Sequence, residues 1–172
     1  MKKIILIILL TLQFAGIRAQ DTKAGPGSRP DFVISGNLGG DASLFTLGFE
    51  KLFFVKPKLT LAAKIAFGYN QEFLLFSSKP PINYFILPHS FTLNLGEGKR
   101  SFGEFGIGGS WITSNSENYY LFYPILGYRY HPFKNPGFSF RAWVFYPLGQ
   151  SNTLDDSNLL IAPLGVSFGI AL

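Results

Sequence analysis

Strict alternation of apolar with small or polar side chains over residues 59–70, LTLAAKIAFGYN, constrains the fold more than any other feature of this chain. One face carries Leu59, Leu61, Ala63, Ile65, Phe67 and Tyr69, and the other carries Thr60, Ala62, Lys64, Ala66, Gly68 and Asn70. A period of two predicts a β-strand whose two faces meet different surroundings. Its length, and an apolar face that ends in an aromatic residue, suit a strand that crosses a lipid bilayer.

The same alternation recurs along the chain and predicts eight strands. We place them at about residues 32–38, 43–53, 59–70, 85–95, 101–113, 119–130, 138–148 and 159–172. The turns at 54–57, 96–100 and 131–137 are short, whereas the links at 71–84 and 149–158 are longer and more polar. Outer-membrane barrels have this difference between their two ends. The predicted fold is all-β, a closed antiparallel eight-stranded transmembrane β-barrel with up-and-down meander topology over residues 31–172.

The N-terminus has the pattern of a secretory signal peptide. Two lysines precede an apolar run, and small residues follow it, so residues 1–19 are predicted to be removed after Ala19. The alternative is an uncleaved anchor helix, but the apolar run is about 9 residues long and a spanning helix needs roughly 20. Residues 20–30 are rich in Gly and Pro and are predicted to be a flexible periplasmic linker.

The composition excludes several classes of protein. Without residues 1–19 the chain has 12 Lys and Arg against 10 Asp and Glu, so we expect no nucleic-acid partner. Cysteine is absent, which excludes disulfides and thiolate metal sites. Charged residues make up 15% of the chain, against about 25% in soluble domains, although aromatic residues make up 17%. No metal-ligand cluster or phosphate loop is evident, and we expect no cofactor.

Four prolines and two aromatic residues test the barrel prediction. Pro88, Pro124, Pro147 and Pro163 all fall in the parts of the strands that lead to the longer loops. A closed sheet has no free edge where a missing N–H is harmless, so we expect an irregular or bulged rim there. Alternation also places Trp143 and Phe145 on the inward face. A bulge would reverse them, or they fill the lumen.

Residues 32–172 resemble the small eight-stranded outer-membrane β-barrel proteins of Gram-negative bacteria, of the OmpA/OmpX size class. The resemblance rests on SGNLGGDASLFTLGFEK, SFGEFGIGGSW, YPILGYRYHP and the closing GVSFGIAL. Such barrels often end in an aromatic residue, whereas this chain ends in Leu172. The resemblance implies location in the cell outer membrane among lipid and lipopolysaccharide. It identifies no catalytic residue.

The predicted inward faces share a set of charged residues. If the apolar faces point to lipid, the lumen contains Glu50, Lys64, Glu104, Arg129 and Arg141. A Lys or Arg facing lipid at the membrane centre costs roughly 2–4 kcal/mol, so their common side is informative. Eight strands enclose a space that side chains just fill. We therefore predict an ion-paired structural network of two acids and three bases inside the barrel.

The function predicted from the sequence is a structural or surface-interaction role, with no enzymatic activity and a monomeric state. An extracellular partner would bind the loops at 71–84 and 149–158. Three alternatives stay open: a narrow pore or small-ligand transport barrel, a lipid-A-modifying enzyme, and a secreted lipocalin-like barrel. An enzyme would need a set such as His89, Ser90 and Glu72, which the spacing does not require. A lipocalin-like barrel would have an apolar interior and a charged exterior.

Overall fold

The computed structural model describes residues 29–41, 43–71, 83–96, 100–114, 117–132, 136–148 and 163–172. They form eight β-strands: β1 (Phe32–Gly39), β2 (Phe45–Lys56), β3 (Leu59–Gln71), β4 (Asn83–Gly96), β5 (Ser101–Ser114), β6 (Glu117–Tyr130), β7 (Gly137–Phe145) and β8 (Leu164–Ala171). Each strand pairs antiparallel with the next, and β1 also pairs with β8. The predicted closed antiparallel eight-stranded meander is confirmed. No helix among these residues is long and apolar enough to span a bilayer.

The barrel has two distinct ends. The terminal end holds the start of β1, the end of β8 and the turns β2–β3, β4–β5 and β6–β7. The loop end holds the other four connections. At the terminal end, reciprocal backbone hydrogen bonds join Phe32 and Leu172, with N···O distances of 3.2 Å and 2.8 Å. These bonds extend the pairing of β1 with β8 past the last strand residue.

Prolines set the limits of the last two strands. Strand β7 ends at Phe145, two residues before Pro147, and β8 begins directly after Pro163. Strand β7 is therefore shorter than the predicted 138–148, whereas residues 159–162 of the predicted strand 159–172 lie outside the described residues. A proline has no N–H to donate to a neighbouring strand. A strand that pairs with both of its neighbours therefore ends close to a proline.

Pro88 and Pro124 lie inside strands, and each interrupts pairing on one side. Pro88 pairs with Ser110 of β5, but the β3–β4 ladder has a gap there and resumes in the same register. Pro124 pairs with Ile107 of β5, and regular β6–β7 pairing begins one residue later. The expected irregularity is present at both prolines, without a change of register. A register shift lies instead between Phe54 and Lys56, at the terminal end of β2.

The outward face of the barrel is apolar on all eight strands. Ile107, Leu126 and Phe168 expose 52%, 53% and 48% of their surface, although they lie in the middle parts of their strands. The inward face carries polar and charged side chains as well as apolar ones, and most of them are almost fully buried. Exposed large apolar side chains on the outside, together with buried charges inside, are the reverse of what a water-soluble domain shows.

The interior contains a large buried apolar cluster toward the loop end and a smaller one, made of Val33, Leu52, Ala62 and Ala171, toward the terminal end. A buried cluster near the loop end contains Tyr84, Ile86, Ile112, Leu121, Tyr123, Ile125, Trp143 and Phe145. Trp143 and Phe145 point inward, with 1% and 4% of their surface exposed. The rings of Phe145 and Tyr123 lie 4.8 Å apart between centroids. These aromatic residues therefore fill the lumen and are not reversed by a bulge.

Candidate functional site: the charged lumen

The pair formed by Arg129 and Glu50 lies inside the barrel. The two guanidinium Nη atoms of Arg129, on β6, donate to both carboxylate oxygens of Glu50, on β2, at 2.5 Å and 2.7 Å. The remaining guanidinium donor, Nε, bonds Asn94 Oδ1 on β4 at 2.9 Å. Both charged side chains are almost fully buried. A two-point arginine–carboxylate pair of this kind fixes orientation as well as charge, so it ties three separated strands together.

Glu104 joins this pair to a second arginine. Arg141 Nε, from β7, donates to Glu104 Oε2 at 2.8 Å. Arg141 Nη2 lies 2.7 Å from Glu104 Oε1, an ion contact whose angle does not meet hydrogen-bond geometry. Arg129 Nη2 approaches the same oxygen at 3.5 Å. Glu104 therefore lies between two guanidinium groups, and four of the five sequence-predicted residues form one connected cluster.

Lys64, the fifth predicted residue, pairs with an acid that the sequence did not identify. Its ammonium Nζ lies 2.8 Å from Asp41 Oδ2, and both side chains are buried. Lys64 and Glu50 are register partners on β3 and β2, but Lys64 forms its ion pair with Asp41. The predicted network had three bases and two acids, and this imbalance was the available signal that a third acid was missing.

Asp41 reaches the lumen because the β1–β2 turn folds into the barrel. Gly39, Gly40 and Asp41 all have positive φ angles, which glycine adopts at little cost. A Cβ on Gly40 would lie 2.8 Å from the Trp143 indole, so only glycine fits there. Tyr123 donates its hydroxyl to Asp41 Oδ1 at 3.0 Å, and Ser110 donates to the Asp41 carbonyl oxygen at 2.7 Å. These hydrogen bonds join the β1–β2 turn to strands β5 and β6.

Trp143 contacts both parts of the charged interior. Lys64 Nζ lies 4.7 Å from the centroid of its indole, and the guanidinium carbon of Arg141 lies 4.3 Å from it. Cations are attracted to the face of an indole. The ring therefore contacts both bases where the ion-pair chain is interrupted. Its Nε1–H has no hydrogen-bond partner, which indicates that packing and not a polar bond holds the ring.

The charges inside the barrel balance. Among the described residues, the buried acids are Asp41, Glu50 and Glu104, and the buried bases are Lys64, Arg129 and Arg141. A buried ion is costly unless an opposite charge lies beside it, and each of these six has such a neighbour. The described residues contain no group of three or more His, Asp or Glu that could hold a metal ion.

The chain before β1 covers the terminal end of the charged interior. His131 is buried just after β6, and its Nε2–H donates to the Pro30 carbonyl oxygen at 2.8 Å. The Arg29 guanidinium lies over the rings of Phe54 and Phe102, at 5.8 Å and 5.6 Å from their centroids. The space between these rings, His131 and Arg129 is too narrow for a water molecule. Among the described residues, Arg29 and Pro30 therefore cover the charged interior on this side.

Acid is expected to weaken this closure through His131. The pKa of the imidazole is lowered from 6.5 to about 4, mainly by burial and also by Arg129 and Arg29, while Glu50 and the bond to Pro30 act in the opposite direction. The unfolded chain binds this proton more readily than the folded barrel does. The contribution of His131 to stability is therefore full above pH ~6.5 and is lost as the pH falls through the folded pKa. The total loss is on the order of 3 kcal/mol.

A glutamine in place of His131 separates this effect from the titration of carboxylates. The His131→Gln variant keeps a side-chain N–H but does not titrate. Urea unfolding at several pH values should show a steeper loss of stability in the native sequence than in His131→Gln as the pH falls from 6.5. If the free energy of unfolding falls equally with pH in the two proteins, the titration of His131 does not cause the loss of stability in acid.

Two of the three residues considered for hydrolytic chemistry, His89 and Ser90, lie on opposite faces of β4. His89 faces outward, and its Nε2 lies 2.8 Å from the Tyr120 hydroxyl. Ser90 is the next residue of β4 and therefore faces the lumen, where it pairs in register with Lys64. Glu72 lies outside the described residues. Neighbours on opposite faces of one strand cannot act on the same substrate atom.

Comparison with known proteins adds no assignment to this geometry. No protein-family model, curated protein or solved structure matches the chain.

Proposed function

We propose that the chain is an outer-membrane β-barrel protein of a Gram-negative bacterium, with a structural or surface-interaction role and a filled, non-conducting lumen. The observation that carries the proposal is the reversed distribution of side chains. Large apolar residues cover the outward face on every strand, while six charged residues are buried in the interior. In water such an apolar surface would favour aggregation, whereas in a bilayer it matches the hydrocarbon.

The backbone supports the same proposal. Groups that cross hydrocarbon must find their hydrogen-bond partners within the protein, and closure of a sheet provides them without a free edge. Here β1 pairs with β8, so the ladder continues around the barrel. Strands β3 to β6 have 13 or 14 residues each, enough to cross at a tilt.

The filled interior favours a structural role over transport. Ion pairs join β2, β5, β6 and β7 across the lumen, and Trp143 and Phe145 occupy the space toward the loops. A pore needs a continuous water path, and a lipocalin-like barrel needs an apolar cavity for its ligand. Neither is supported by the packed, charged interior. The proposed contacts with lipopolysaccharide and with an extracellular partner involve loops that lie largely outside the described residues.

Fractionation and gel mobility test the membrane assignment. We expect the chain in the outer-membrane fraction, released by detergent, with a folded form that migrates differently from the boiled form. Recovery in the soluble fraction without detergent would refute the assignment. Refolded protein in a planar bilayer should conduct no ions, and steady single-channel currents would instead support the pore alternative.

A further inference from the structure

The ion pair between Lys64 and Asp41 differs in its chemistry from the other buried ion pairs that the described residues form. Those pairs involve Arg129 and Arg141, and a guanidinium group does not lose its proton in proteins. A lysine amine, in contrast, becomes a nucleophile once it is deprotonated. Lys64 Nζ lies 2.8 Å from Asp41 Oδ2, so the amine is in direct contact with a carboxyl group that it can attack.

Protein atoms enclose the Lys64–Asp41 pair. The two side chains expose 4% and 3% of their surface, and the indole of Trp143 covers the amine, with Nζ 4.7 Å from the ring centroid. Two opposite charges are costly to bury, and transfer of one proton from Nζ to Oδ2 converts them into a neutral amine and a neutral acid. Exclusion of water also protects an amide formed at this position from hydrolysis.

Tyr123 places a hydrogen-bond donor on the other oxygen of the same carboxyl group. Its hydroxyl donates to Asp41 Oδ1 at 3.0 Å, whereas Lys64 contacts Oδ2. When an amine attacks Cγ, negative charge develops on Oδ1, and a donor already aimed at this atom stabilises the transition state. Ser110 Oγ lies 3.0 Å from the Tyr123 hydroxyl and donates to the Asp41 carbonyl oxygen at 2.7 Å, so it holds both groups in position.

We propose that Lys64 and Asp41 condense to form an intramolecular isopeptide bond inside the barrel. One proton passes from the Lys64 ammonium to Asp41 Oδ2, and the free amine attacks Cγ. A second proton passes from the attacking nitrogen to Oδ2, the Cγ–Oδ2 bond breaks, and Oδ2 leaves as water. The reaction forms one amide and releases one water molecule, without an oxidant or a cofactor. One buried acid and one buried base disappear together, so the charges that remain in the lumen stay balanced.

The isopeptide bond adds a covalent link to contacts that already hold the β1–β2 turn inside the barrel. Asp41 lies in that turn, and Lys64 lies in the middle of β3. The bond therefore fixes the turn in the lumen and closes a loop of the chain between residues 41 and 64. The inference goes beyond the proposed structural role and does not depend on the membrane location, since the pair is enclosed by the barrel itself.

Mass spectrometry of the full chain, before and after refolding from urea into detergent, tests the proposal. The refolded chain should be lighter by the mass of one water molecule, and its tryptic digest should contain a branched peptide that joins the segments around Asp41 and Lys64. Lys64→Arg is the matched control, because arginine keeps the positive charge beside Asp41 but has no nucleophilic amine, and it should keep the full mass. Tyr123→Phe keeps the ring without the hydroxyl and should form the bond about tenfold or more slowly.

Two results would overturn the proposal. An unchanged mass of the native chain, once gel mobility shows that it has folded, would mean that the pair stays ionic, and this result does not depend on whether the variants fold. A loss of water that persists in Lys64→Arg would indicate cyclisation of Asp41 to a succinimide. Hydroxylamine cleaves a succinimide, whereas an isopeptide bond resists it. Bond formation at the native rate in Tyr123→Phe would contradict the role assigned to the hydroxyl.

Discussion

Replacement of Arg129 by methionine is expected to lower the free energy of unfolding by about 3–5 kcal/mol. Methionine fills much of the same volume but removes the two-point bond to Glu50 and the contact with Glu104. Both carboxylates are almost fully buried, so neither regains water as a partner. Removal of one member of a buried ion pair is costly because the other charge is left uncompensated. The loss of unfolding free energy is measured by urea titration, in which the different gel mobilities of the folded and unfolded forms report the folded fraction.

Two further variants show whether the loss comes from the orphaned charge. Lys51→Met removes an exposed lysine that is also ion-paired, and it should cost at most about 1 kcal/mol. Adding Glu50→Gln to Arg129→Met should recover about 1–3 kcal/mol, because the orphaned carboxylate becomes neutral. If Arg129→Met unfolds at the same urea concentration as the native sequence, the network does not stabilise the barrel.

Much of the barrel follows from local sequence pattern. In a strand, alternation alone decides which face a residue takes, so Glu50, Lys64 and Glu104 could be assigned to the interior from their neighbours. All five charged residues placed there by the sequence are indeed buried. Their partners were harder to predict, since Arg129 and Glu50 are 79 residues apart and their pairing depends on how eight strands close.

Asp41 could not be located from the sequence because a turn has no such alternation. The Gly-Gly-Asp segment predicts a tight reversal, but not whether the reversal points away from the barrel or into it. The direction depends on Lys64, Tyr123 and Ser110, which lie on three other strands. The prediction for strand β7 is too long for a related reason. Alternation continues past Phe145, but regular pairing with β6 does not.

The inward position of Trp143 depends on residues far from it in sequence. Its indole needs space, which Gly40 and Gly165 provide by lacking side chains. Alternation assigned Trp143 to the lumen, but it did not show that two glycines on other strands and turns make room for the ring. The residue also faces two cations, an arrangement that no local pattern predicts.

Trp143→Ala is therefore expected to lower the free energy of unfolding by about 3–5 kcal/mol, as for other large-to-small changes at buried aromatic residues. The variant loses the packing of an almost fully buried ring and leaves a cavity between Lys64 and Arg141. The other tryptophan is a matched control. Trp111 exposes 53% of its surface on the outward face, so Trp111→Ala should cost much less. Urea unfolding of the two variants under the same conditions gives the comparison.

A second change, at Gly165, tests whether the cavity left by Trp143→Ala causes the loss of stability. A Cβ on Gly165 would lie 2.4 Å from the indole, so Gly165→Leu alone should destabilise the barrel by overlap with Trp143. In the Trp143→Ala background the same leucine enters the vacated space and should recover part of the lost stability. The two changes would then be strongly non-additive. Additive losses would mean that the indole does not fill the space above Gly165, which would contradict its proposed role in closing the lumen.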